Sequence, residues 1–431
     1  MEKEIEKYFD RLWNLNRSIT GKGFKDSLDI LSEIIPFKIL NFKTGNKVYD
    51  WKIPKVWNVS SAYILDSNGK EICNMKNNNL HIVSYSHPIK KYLNFSELEK
   101  NIFFLKNKPN AIPYVTSYYK KSWGFCMSYN QFKAMKKNEK YFVFIDSQFS
   151  NGNLIIGQKK LSGKLNKEIL FSSYLCHPSL ANNELSGPLV LSFIYRELKK
   201  IKNRRFSYRF ILVPETIGAI SFLSRFGKYL KKNLAAGFQI TCIGDKGNFT
   251  FKKSRNENSL ADVAGLNFMS EIKNKNIINF DPAFGSDERQ YCSPGFNLPV
   301  ASLMRTPYGK YPQYHTSLDN KSFICFKKMK QSVNAFLKII YYIENNFYFK
   351  NKFPNGEPFL SKRQIYRTLS TTKKREINEI AIWWLLNLSD GKHDLFKISE
   401  KSGINMDILI QLSQVLLKKK LLEKIEYQRV I

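Results

Sequence analysis

A strand, a histidine and a polar cluster follow one another in the central stretch Tyr174-Leu-Cys-His-Pro-Ser-Leu-Ala-Asn-Asn-Glu-Leu-Ser-Gly187. The apolar run Ile169 to Leu175 predicts a buried strand, and Leu189 to Lys200 has the spacing of a helix. His177 stands just beyond the end of the strand. In an open α/β sheet, residues in that position converge with those that follow the neighbouring parallel strands. The stretch therefore predicts an α/β fold with a polar site at the carboxyl edge of its sheet.

Two later segments supply partners for His177. The run Phe210 to Val213 predicts a second strand that ends near Glu215, and His315 lies in Tyr314-His-Thr316. Zinc takes nitrogen and oxygen ligands, and a catalytic zinc keeps one position for a water whose pKa falls to about 7. We therefore predict one zinc ion per chain, held by His177 and His315. Glu215 is predicted to be a ligand or the general base that takes a proton from the water.

The acid that completes the metal site is less clear from the sequence. Glu184 is predicted as a metal ligand, and three further side chains could bind the metal or orient a ligand: Asn183, Asp287 and Asp245. The alternative is structural, because Asn183 and Glu184 could cap the helix that follows and Asp287 could be a turn acid. The residues that could hold a substrate carboxylate are Arg289, Arg305 and Tyr311, each with an ordinary packing role as its alternative.

The remaining histidines and the cysteines are expected to be structural. His81, His87 and His393 are predicted not to bind metal. The six cysteines are scattered without a CxxC pair, which favours reduced thiols over disulfides. Cys176 could be a nucleophile beside His177, but a small apolar residue that closes a buried strand describes it better.

Composition places the chain among globular proteins. With 43% hydrophobic and 14% aromatic residues in 431 positions, the chain can fill two or three cores. The charged N-terminus and the lack of a long apolar run predict a soluble, cytoplasmic protein with no membrane span. The net charge of +33 is spread along the chain, so nucleic-acid binding is possible but not expected as the main function, and attraction of an acidic substrate is about as plausible.

The pattern of elements predicts three domains. Short β-like runs such as Ala62 to Leu65 and Leu80 to Val83 indicate a β-rich domain at 49–140, inserted into an α/β domain at 1–48 and 141–350. In the α/β domain, further strands are predicted at Tyr141 to Ile145 and Gly237 to Ile243, and its last helix at Phe326 to Asn345. A linker with Pro354, Gly356 and Pro358 leads to residues 362–431, whose three helical patterns and short β element predict a winged helix-turn-helix domain.

With these residues in view, the chain resembles bacterial aminopeptidase-like proteins of the DUF4910/DUF2172 type, which are similar to the M28 zinc aminopeptidases. Seven segments carry the resemblance in this order: Leu12-Trp-Asn-Leu-Asn-Arg-Ser-Ile-Thr-Gly21, Val48-Tyr-Asp-Trp-Lys-Ile-Pro-Lys-Val-Trp-Asn-Val59, Ser117-Tyr-Tyr-Lys-Lys-Ser-Trp-Gly-Phe-Cys126, Tyr174 to Gly187, Pro214-Glu-Thr-Ile-Gly218, Gly285-Ser-Asp-Glu-Arg-Gln-Tyr291 and Tyr314-His-Thr-Ser-Leu-Asp-Asn320. The resemblance covers most of the chain. It implies an M28-like α/β/α sandwich with an inserted β-rich domain and a C-terminal winged helix, in proteins associated with polysaccharide biosynthesis.

The resemblance also implies roles for single residues. His177 and His315 match metal-binding histidines, and Glu215 matches the general base of the M28 Glu-Glu pair. Three carboxylates of the M28 pattern are missing: the second acid of the pair is Thr216, the bridging aspartate is Asn183, and another liganding aspartate is Thr241, with Asp245 nearby. These losses favour one metal ion over two.

Two functions follow from this evidence. The first is a zinc-dependent aminopeptidase-like hydrolase that cleaves an amide bond of a peptide or of an aminoacyl or N-acyl sugar. The second is a non-catalytic scaffold or regulator that uses the peptidase-like cleft and the winged helix for binding. The lost carboxylates favour the scaffold, whereas the retained Glu215 and both histidines favour the enzyme. Neither substrate nor oligomeric state can be predicted from the sequence.

Overall fold

The computed structural model describes residues 1–365 and 377–425. The chain divides into two compact units, Met1–Asp262 with Asn274–Asn334 and Val263–Lys273 with Ala335–Ile431. The predicted winged-helix range 362–431 includes residues 366–376 and 426–431, which lie outside the described residues. Among the helices of the described part, none has the length and apolar character needed to span a membrane.

The elements of the described residues are numbered in chain order. The helices are α1 Glu2–Trp13, α2 Lys22–Ser32, α3 Phe95–Leu98, α4 Tyr129–Lys133, α5 Ser186–Lys200, α6 Ile217–Asn233, α7 Leu260–Ser270, α8 Glu288–Tyr291, α9 Phe326–Asn345, α10 Ile377–Leu388, α11 Leu395–Ser402 and α12 Met406–Lys418. The strands are β1 Lys38–Lys43, β2 Lys47–Val48, β3 Trp51–Lys52, β4 Val56–Leu65, β5 Glu71–Asn74, β6 Ile89–Asn94, β7 Ile102–Phe103, β8 Phe125–Cys126, β9 Lys140–Ser150, β10 Asn153–Leu161, β11 Glu168–Tyr174, β12 Ser207–Val213, β13 Leu234–Ile240, β14 Phe249–Lys252, β15 Lys275–Ile278, β16 Val300–Met304, β17 Tyr348–Asn351, β18 Asp390–Asp394 and β19 Leu422–Ile425.

An eight-stranded mixed sheet forms the centre of the first unit. Its strand order is β1-β10-β12-β11-β13-β16-β14-β15, and the four strands β12, β11, β13 and β16 run parallel. Every residue of β11 and β12 is buried. Parallel strands are covered by helices on both faces, which is why these two appear in the sequence as continuous apolar runs.

The order of the central strands creates a switch point at β11. The chain leaves β11 through α5 for β12 on one side, and it then returns through α6 to β13 on the other side. Because such crossovers are right-handed, α5 and α6 cover opposite faces of the sheet. The predicted α/β/α sandwich is thereby confirmed, and the ends of β11, β12 and β13 meet at one crevice.

A smaller antiparallel sheet lies within the first unit. Its order is β5-β4-β9-β6, so the strand predicted at Tyr141 to Ile145 forms as part of β9 but pairs with β4 and β6 rather than with the main sheet. The prediction of a β-like run at Leu80 to Val83 is wrong for Leu80 and His81. There Asn78 accepts a hydrogen bond from the backbone N–H of Leu80 and begins a 3-10 turn at Asn79–His81.

The second unit contains α10, α11 and α12 and the antiparallel sheet β18-β17-β19. The helices predicted from Ile377 and Leu395 form with the predicted bounds. The side chain of Asp394 accepts from the backbone N–H of Lys397 and caps α11. The central strand β17 precedes residue 362, so the sheet of this unit includes a segment that the sequence analysis assigned to the α/β domain.

A buried ion pair anchors the loop that precedes α8. The ammonium of Lys252, at the end of β14, lies 2.9 Å from Glu288 Oε1, and both side chains are fully buried. Lys252 also donates to the carbonyl oxygens of Asp281 and Phe284. Glu288 in turn accepts from the backbone N–H of Ser286. Residues 281–288 are therefore held by charge-assisted hydrogen bonds in a buried site.

We predict that Lys252→Met destabilises the first unit by about 3–5 kcal/mol, because it leaves the Glu288 carboxylate buried without its cation. The matched control is Lys253→Met, since Lys253 pairs with Glu257 at the surface, where a pair contributes about 1 kcal/mol or less. Urea denaturation of both variants measures the difference. Equal stability of the two variants would contradict this account of the ion pair.

Candidate metal and catalytic site

Three polar segments meet at the crevice beyond β11, β12 and β13. His177 lies just beyond the end of β11, and Glu215 lies just beyond the end of β12. A loop after β16 and before α9 brings His315 to the same place, with the imidazole ring centroids of His177 and His315 5.5 Å apart. The structure thus brings together the two histidines and the acid on which the prediction of a metal site depends.

His177 is held by a buried carboxylate. Its Nδ1 lies 2.6 Å from Glu184 Oε2, and its Nε2 lies 3.4 Å from Glu215 Oε2. Burial opposes a positive charge on His177, but the adjacent Glu184 carboxylate outweighs it, and the pKa of His177 is raised well above its usual value. Glu184 therefore fixes the ring orientation and points Nε2 toward Glu215 and the crevice.

His315 presents a nitrogen without a partner. Its Nε2 is buried and has no hydrogen-bond partner among the described residues. Burial, followed by the charge of His177, lowers the pKa of His315 to about 3, so the ring is neutral. A buried imidazole nitrogen with a free lone pair is costly unless something binds it, and a zinc ion is such a group.

Two acids meet across the crevice. Glu215 Oε1 accepts a hydrogen bond of 2.6 Å from Ser286 Oγ, and Asp287 Oδ1 accepts one of 2.7 Å from the backbone N–H of Thr216. Asp287 Oδ2 is buried without a partner among the described residues. Burial and the charge of Glu215 raise the pKa of Asp287 well above its usual range. Such a pair of carboxylates favours a nearby cation.

The backbone is strained at several positions around the crevice. Non-glycine residues with positive φ include Ser179 at 46°, Thr216 at 63°, Cys242 at 47° and His315 at 53°. Each of these conformations costs free energy and persists only where the surrounding contacts impose it. Their concentration beyond the strand ends is typical of a functional site.

Glu184 lies in a π-helical turn, Ala181–Leu185, that leads into α5. Asp319 caps this turn, since its carboxylate accepts from the backbone N–H groups of Asn182 at 2.7 Å and Asn183 at 2.9 Å. Burial raises the pKa of Asp319 to about 6. Asp319 lies in the segment Tyr314 to Asn320, but the sequence predicts no role for it. Its position four residues after His315 is the one feature of the sequence that could have indicated a place at the site.

At two positions where the resemblance to M28 enzymes implies carboxylates, this chain has a neutral hydrogen-bond network. Asn183 Nδ2 donates to the hydroxyl of Tyr174 at 2.6 Å, and that hydroxyl lies 2.5 Å from Thr241 Oγ1. Thr241 Oγ1 donates to the carbonyl oxygen of Asn183 at 3.0 Å. The side chains of Asn183 and Thr241 are therefore linked through the Tyr174 hydroxyl. Asn183 Oδ1 has no partner among the described residues.

Four predicted site residues are engaged by other protein groups. Asp245 accepts from Asn182, Gly247 and Thr306, which engages both carboxylate oxygens. Arg305 lies over the ring of Phe249 and donates to Gly247, Lys328 and Ser332. Tyr311 stacks on Phe323, and Arg289 donates to the carbonyl oxygen of Ser286. The side chains that line the cavity in front of His177 do not include these four.

Two side chains for which the sequence predicts no role also lie against the site. The ring centroid of Tyr114 lies 4.8 Å from that of His177 and 5.3 Å from that of His315. The backbone N–H of Tyr114 donates to the carbonyl oxygen of His315 at 2.9 Å. Arg17, fully buried, donates to the carbonyl oxygen of His177 at 3.1 Å. Arg17 lies within the segment Leu12 to Gly21, and Tyr114 lies shortly before the segment Ser117 to Cys126. Their residue types alone do not predict a role at a metal site.

A cavity of 390 Å³ opens in front of His177 and Glu215. Other side chains that line it are Ile19, Trp51, Tyr118, Tyr119, Lys120 and Cys176. This volume lies in the range of small-molecule sites.

A second group of ligand atoms fits a metal less well. Cys176 Sγ, His177 Nδ1 and a Glu184 oxygen lie within 4.8 Å of one another. However, 2.6 Å between His177 Nδ1 and Glu184 is a hydrogen-bond distance, and burial raises the pKa of the Cys176 thiol to about 11. Two ligands of one tetrahedral zinc are about 3.3 Å apart, given bonds of about 2.0–2.1 Å. The separation of 3.4 Å between His177 Nε2 and Glu215 Oε2 matches that spacing, which is the geometry expected if Glu215 is a ligand instead of the base.

Comparison with known families gives two matches along the chain. The family described as a domain of unknown function, DUF4910, matches residues 6–346. A winged helix-turn-helix family matches residues 348–424. A protein of Clostridium acetobutylicum, named as a candidate polysaccharide biosynthesis protein with an aminopeptidase-like domain, is 40% identical over 402 residues, which are 93% of this chain and 92% of that protein.

Solved structures agree with these matches. A crystal structure from Clostridium acetobutylicum, described as a candidate peptidase, superposes with a TM-score of 0.92 at 38% identity and covers 98% of this chain and 96% of that one. A zinc aminopeptidase from Bacillus subtilis has a TM-score of 0.55 at 13% identity, with 79% of this chain and 94% of that chain covered. An M28 peptidase from Shewanella amazonensis has a TM-score of 0.53 at 12% identity, with 80% and 96% covered. The M28-like fold is thereby confirmed.

We predict that Glu184→Gln weakens zinc affinity about 10-fold to 100-fold, because the neutral amide no longer fixes the protonated Nδ1 of His177 as strongly. Competition with a chromophoric chelator measures the affinity. The matched control is Glu197→Gln, a partly exposed acid of α5 that pairs with Lys200. Equal zinc affinity of both variants would show that Glu184 does not orient a ligand.

Proposed function

We propose, since the chain belongs to the DUF4910 family and brings two buried histidines together, that it is a zinc-dependent hydrolase of an amide bond. The observation that supports this most is the pair of ring nitrogens at the crevice. His177 Nε2 is directed there by Glu184, and His315 Nε2 is buried without a partner among the described residues. The relation to M28 zinc aminopeptidases makes zinc the expected ion.

His177 and His315 would hold the ion through their Nε2 atoms. Glu184, first predicted as a ligand, is better assigned as the partner that orients His177, because its carboxylate lies on the opposite, Nδ1 side of the ring. This leaves Asp287 as the buried acid that would complete the set, since its Oδ2 has no partner among the described residues. Such a set fits one ion rather than two.

When bound, zinc would lower the pKa of a water and polarise the substrate carbonyl. Glu215 would take the proton of that water. Its side chain is 29% exposed, against 5% for His177, and it lines the cavity. The hydrogen bond from Ser286 holds one oxygen and leaves the other directed toward His177 Nε2. Proton transfer to a positioned carboxylate of this kind contributes about 10²–10⁴-fold to a rate.

A second function has support from one observation. Thr216, Asn183 and Thr241 stand where M28 enzymes have carboxylates, and two of them are bound into the network with Tyr174. A scaffold that keeps the cleft for binding, and uses the winged helix to bind a partner or DNA, would need neither metal nor base. The two functions differ in whether the chain binds zinc.

The zinc content of the purified chain tests the first function. We predict about one zinc per chain by elemental mass spectrometry, because two imidazoles and one acid suffice for a catalytic site. The variant that combines His177→Ala and His315→Ala should lose it, whereas His393→Ala should keep it, since His393 lies in the second unit beside Asp390. No zinc in the wild type after supplementation would favour the scaffold.

Replacement of Glu215 tests the general base. On whichever amide substrate the zinc-loaded chain hydrolyses, Glu215→Gln should retain zinc and lower kcat by at least about 100-fold. The control Glu139→Gln removes a surface acid that pairs with Lys136 and should leave kcat unchanged. If Glu215→Gln instead abolishes zinc binding, Glu215 is a ligand and another group must supply the base.

A further inference from the structure

The cavity in front of His177 has an aromatic part. Trp51 and Tyr119 both line it, with their ring centroids 5.8 Å apart in an edge-to-face arrangement. They are 38% and 53% exposed. The Tyr119 hydroxyl donates to the carbonyl oxygen of Lys52 at 3.1 Å, and the backbone of Tyr119 has a φ of 63°. Two large rings are thus held in a fixed, solvent-exposed position, where the flat face of a ligand ring could stack on them.

Few charged side chains line the cavity, and they differ in whether they already have a partner. Within the part of the chain that the structure describes, Glu215 is the one carboxylate among the lining side chains, and Lys120 is the one lysine or arginine. Glu215 already accepts from Ser286 and is the base of the proposed reaction. Lys120 is exposed and forms no ion pair with any described residue. The cavity can therefore neutralise a ligand anion, but it has no spare acid for a ligand ammonium.

The net charge of the whole chain also favours the binding of an anion. With 69 Lys and Arg against 36 Asp and Glu, the net charge is +33. A positive field of this kind raises the local concentration of anions and speeds their association.

We propose that the cavity binds a small N-acylated molecule that has a ring and an anionic group, and that it does not select for a free terminal ammonium. Trp51 and Tyr119 contact the ring, Lys120 pairs with the anion, and the acyl amide reaches His177 and Glu215. The reaction that this ligand would undergo rests on the proposed function. Water adds to the acyl carbonyl carbon and the C–N bond breaks. The acyl group becomes a carboxylate, and both protons of the water pass to the nitrogen, which leaves as an ammonium.

Calorimetric binding to the zinc-loaded chain tests this inference with three matched probes. N-Acetylmuramic acid has the ring, the N-acetyl group and a carboxylate, N-acetylglucosamine lacks the carboxylate, and leucinamide has a free ammonium. We expect N-acetylmuramic acid to bind at least tenfold more tightly than the other two. N-Acetylglucosamine 1-phosphate is a fourth probe, and tight binding of it in place of the muramic acid would identify the anion as phosphate.

Two substitutions attribute the preference to Lys120. Lys120→Ala should lower the affinity for the anionic sugar to that of N-acetylglucosamine, whereas Lys121→Ala, the adjacent lysine that does not line the cavity, should have no effect. Trp51→Ala should weaken the binding of both sugars alike. Equal affinity for charged and neutral sugars, tightest binding of leucinamide, or no binding of any acetylated sugar at millimolar concentration would overturn the proposal.

Binding and turnover separate this inference from the proposed function. A chain that binds the anionic sugar through Lys120 but hydrolyses neither it nor any other amide would contradict the hydrolase and leave the ligand class supported. A chain that hydrolyses leucinamide and ignores the acetylated sugars would support the hydrolase and overturn the ligand class.

Discussion

The hydrogen bond of 2.6 Å between His177 Nδ1 and Glu184 is the constraint on which the site depends. It fixes which ring nitrogen of His177 is directed toward Glu215. Glu184 can make this bond because it lies in the π-helical turn Ala181–Leu185, and Asp319 holds that turn by accepting from two of its backbone N–H groups. The segment that carries Asp319 also carries His315, so the contacts that orient the first histidine also position the second.

Three positions where the resemblance to M28 enzymes implies carboxylates carry neutral side chains, Asn183, Thr216 and Thr241. Neutral hydrogen bonds join Asn183, Thr241 and Tyr174, so this part of the interior is satisfied without a charged group. The negative charge that remains is concentrated on Glu184, Glu215 and Asp287. Two of these acids have a buried oxygen without a partner among the described residues, which favours a single cation. The ion pair of Lys252 with Glu288 keeps Ser286 and Asp287 in place beside it.

Much of the fold could be predicted from the sequence, because periodic apolar patterns determined its long elements. The helices α9, α10 and α11 have the predicted bounds, and β11 and β12 appear as continuous apolar runs. The partner of β9 could not be predicted, since strand pairing depends on tertiary contacts rather than on local pattern.

At the site, His177, His315 and Glu215 were identified by their positions after strands or in motifs. Tyr114, Arg17 and Asp319 were missed because tyrosine, arginine and a loop aspartate carry no distinctive chemistry until the fold brings them together. The side chains of Arg305 and Asp245, which are predicted as candidates for the site, form hydrogen bonds with other protein groups.

Anomalous scattering at the zinc absorption edge, from crystals of the zinc-loaded chain, tests the central claim most directly. The account predicts one peak per chain, about 2.0–2.1 Å from the Nε2 atoms of both His177 and His315, with Glu184 bound to Nδ1 on the far side of the ring. Two peaks in the crevice, or a single peak bound to Cys176 and to Nδ1 of His177, would contradict it.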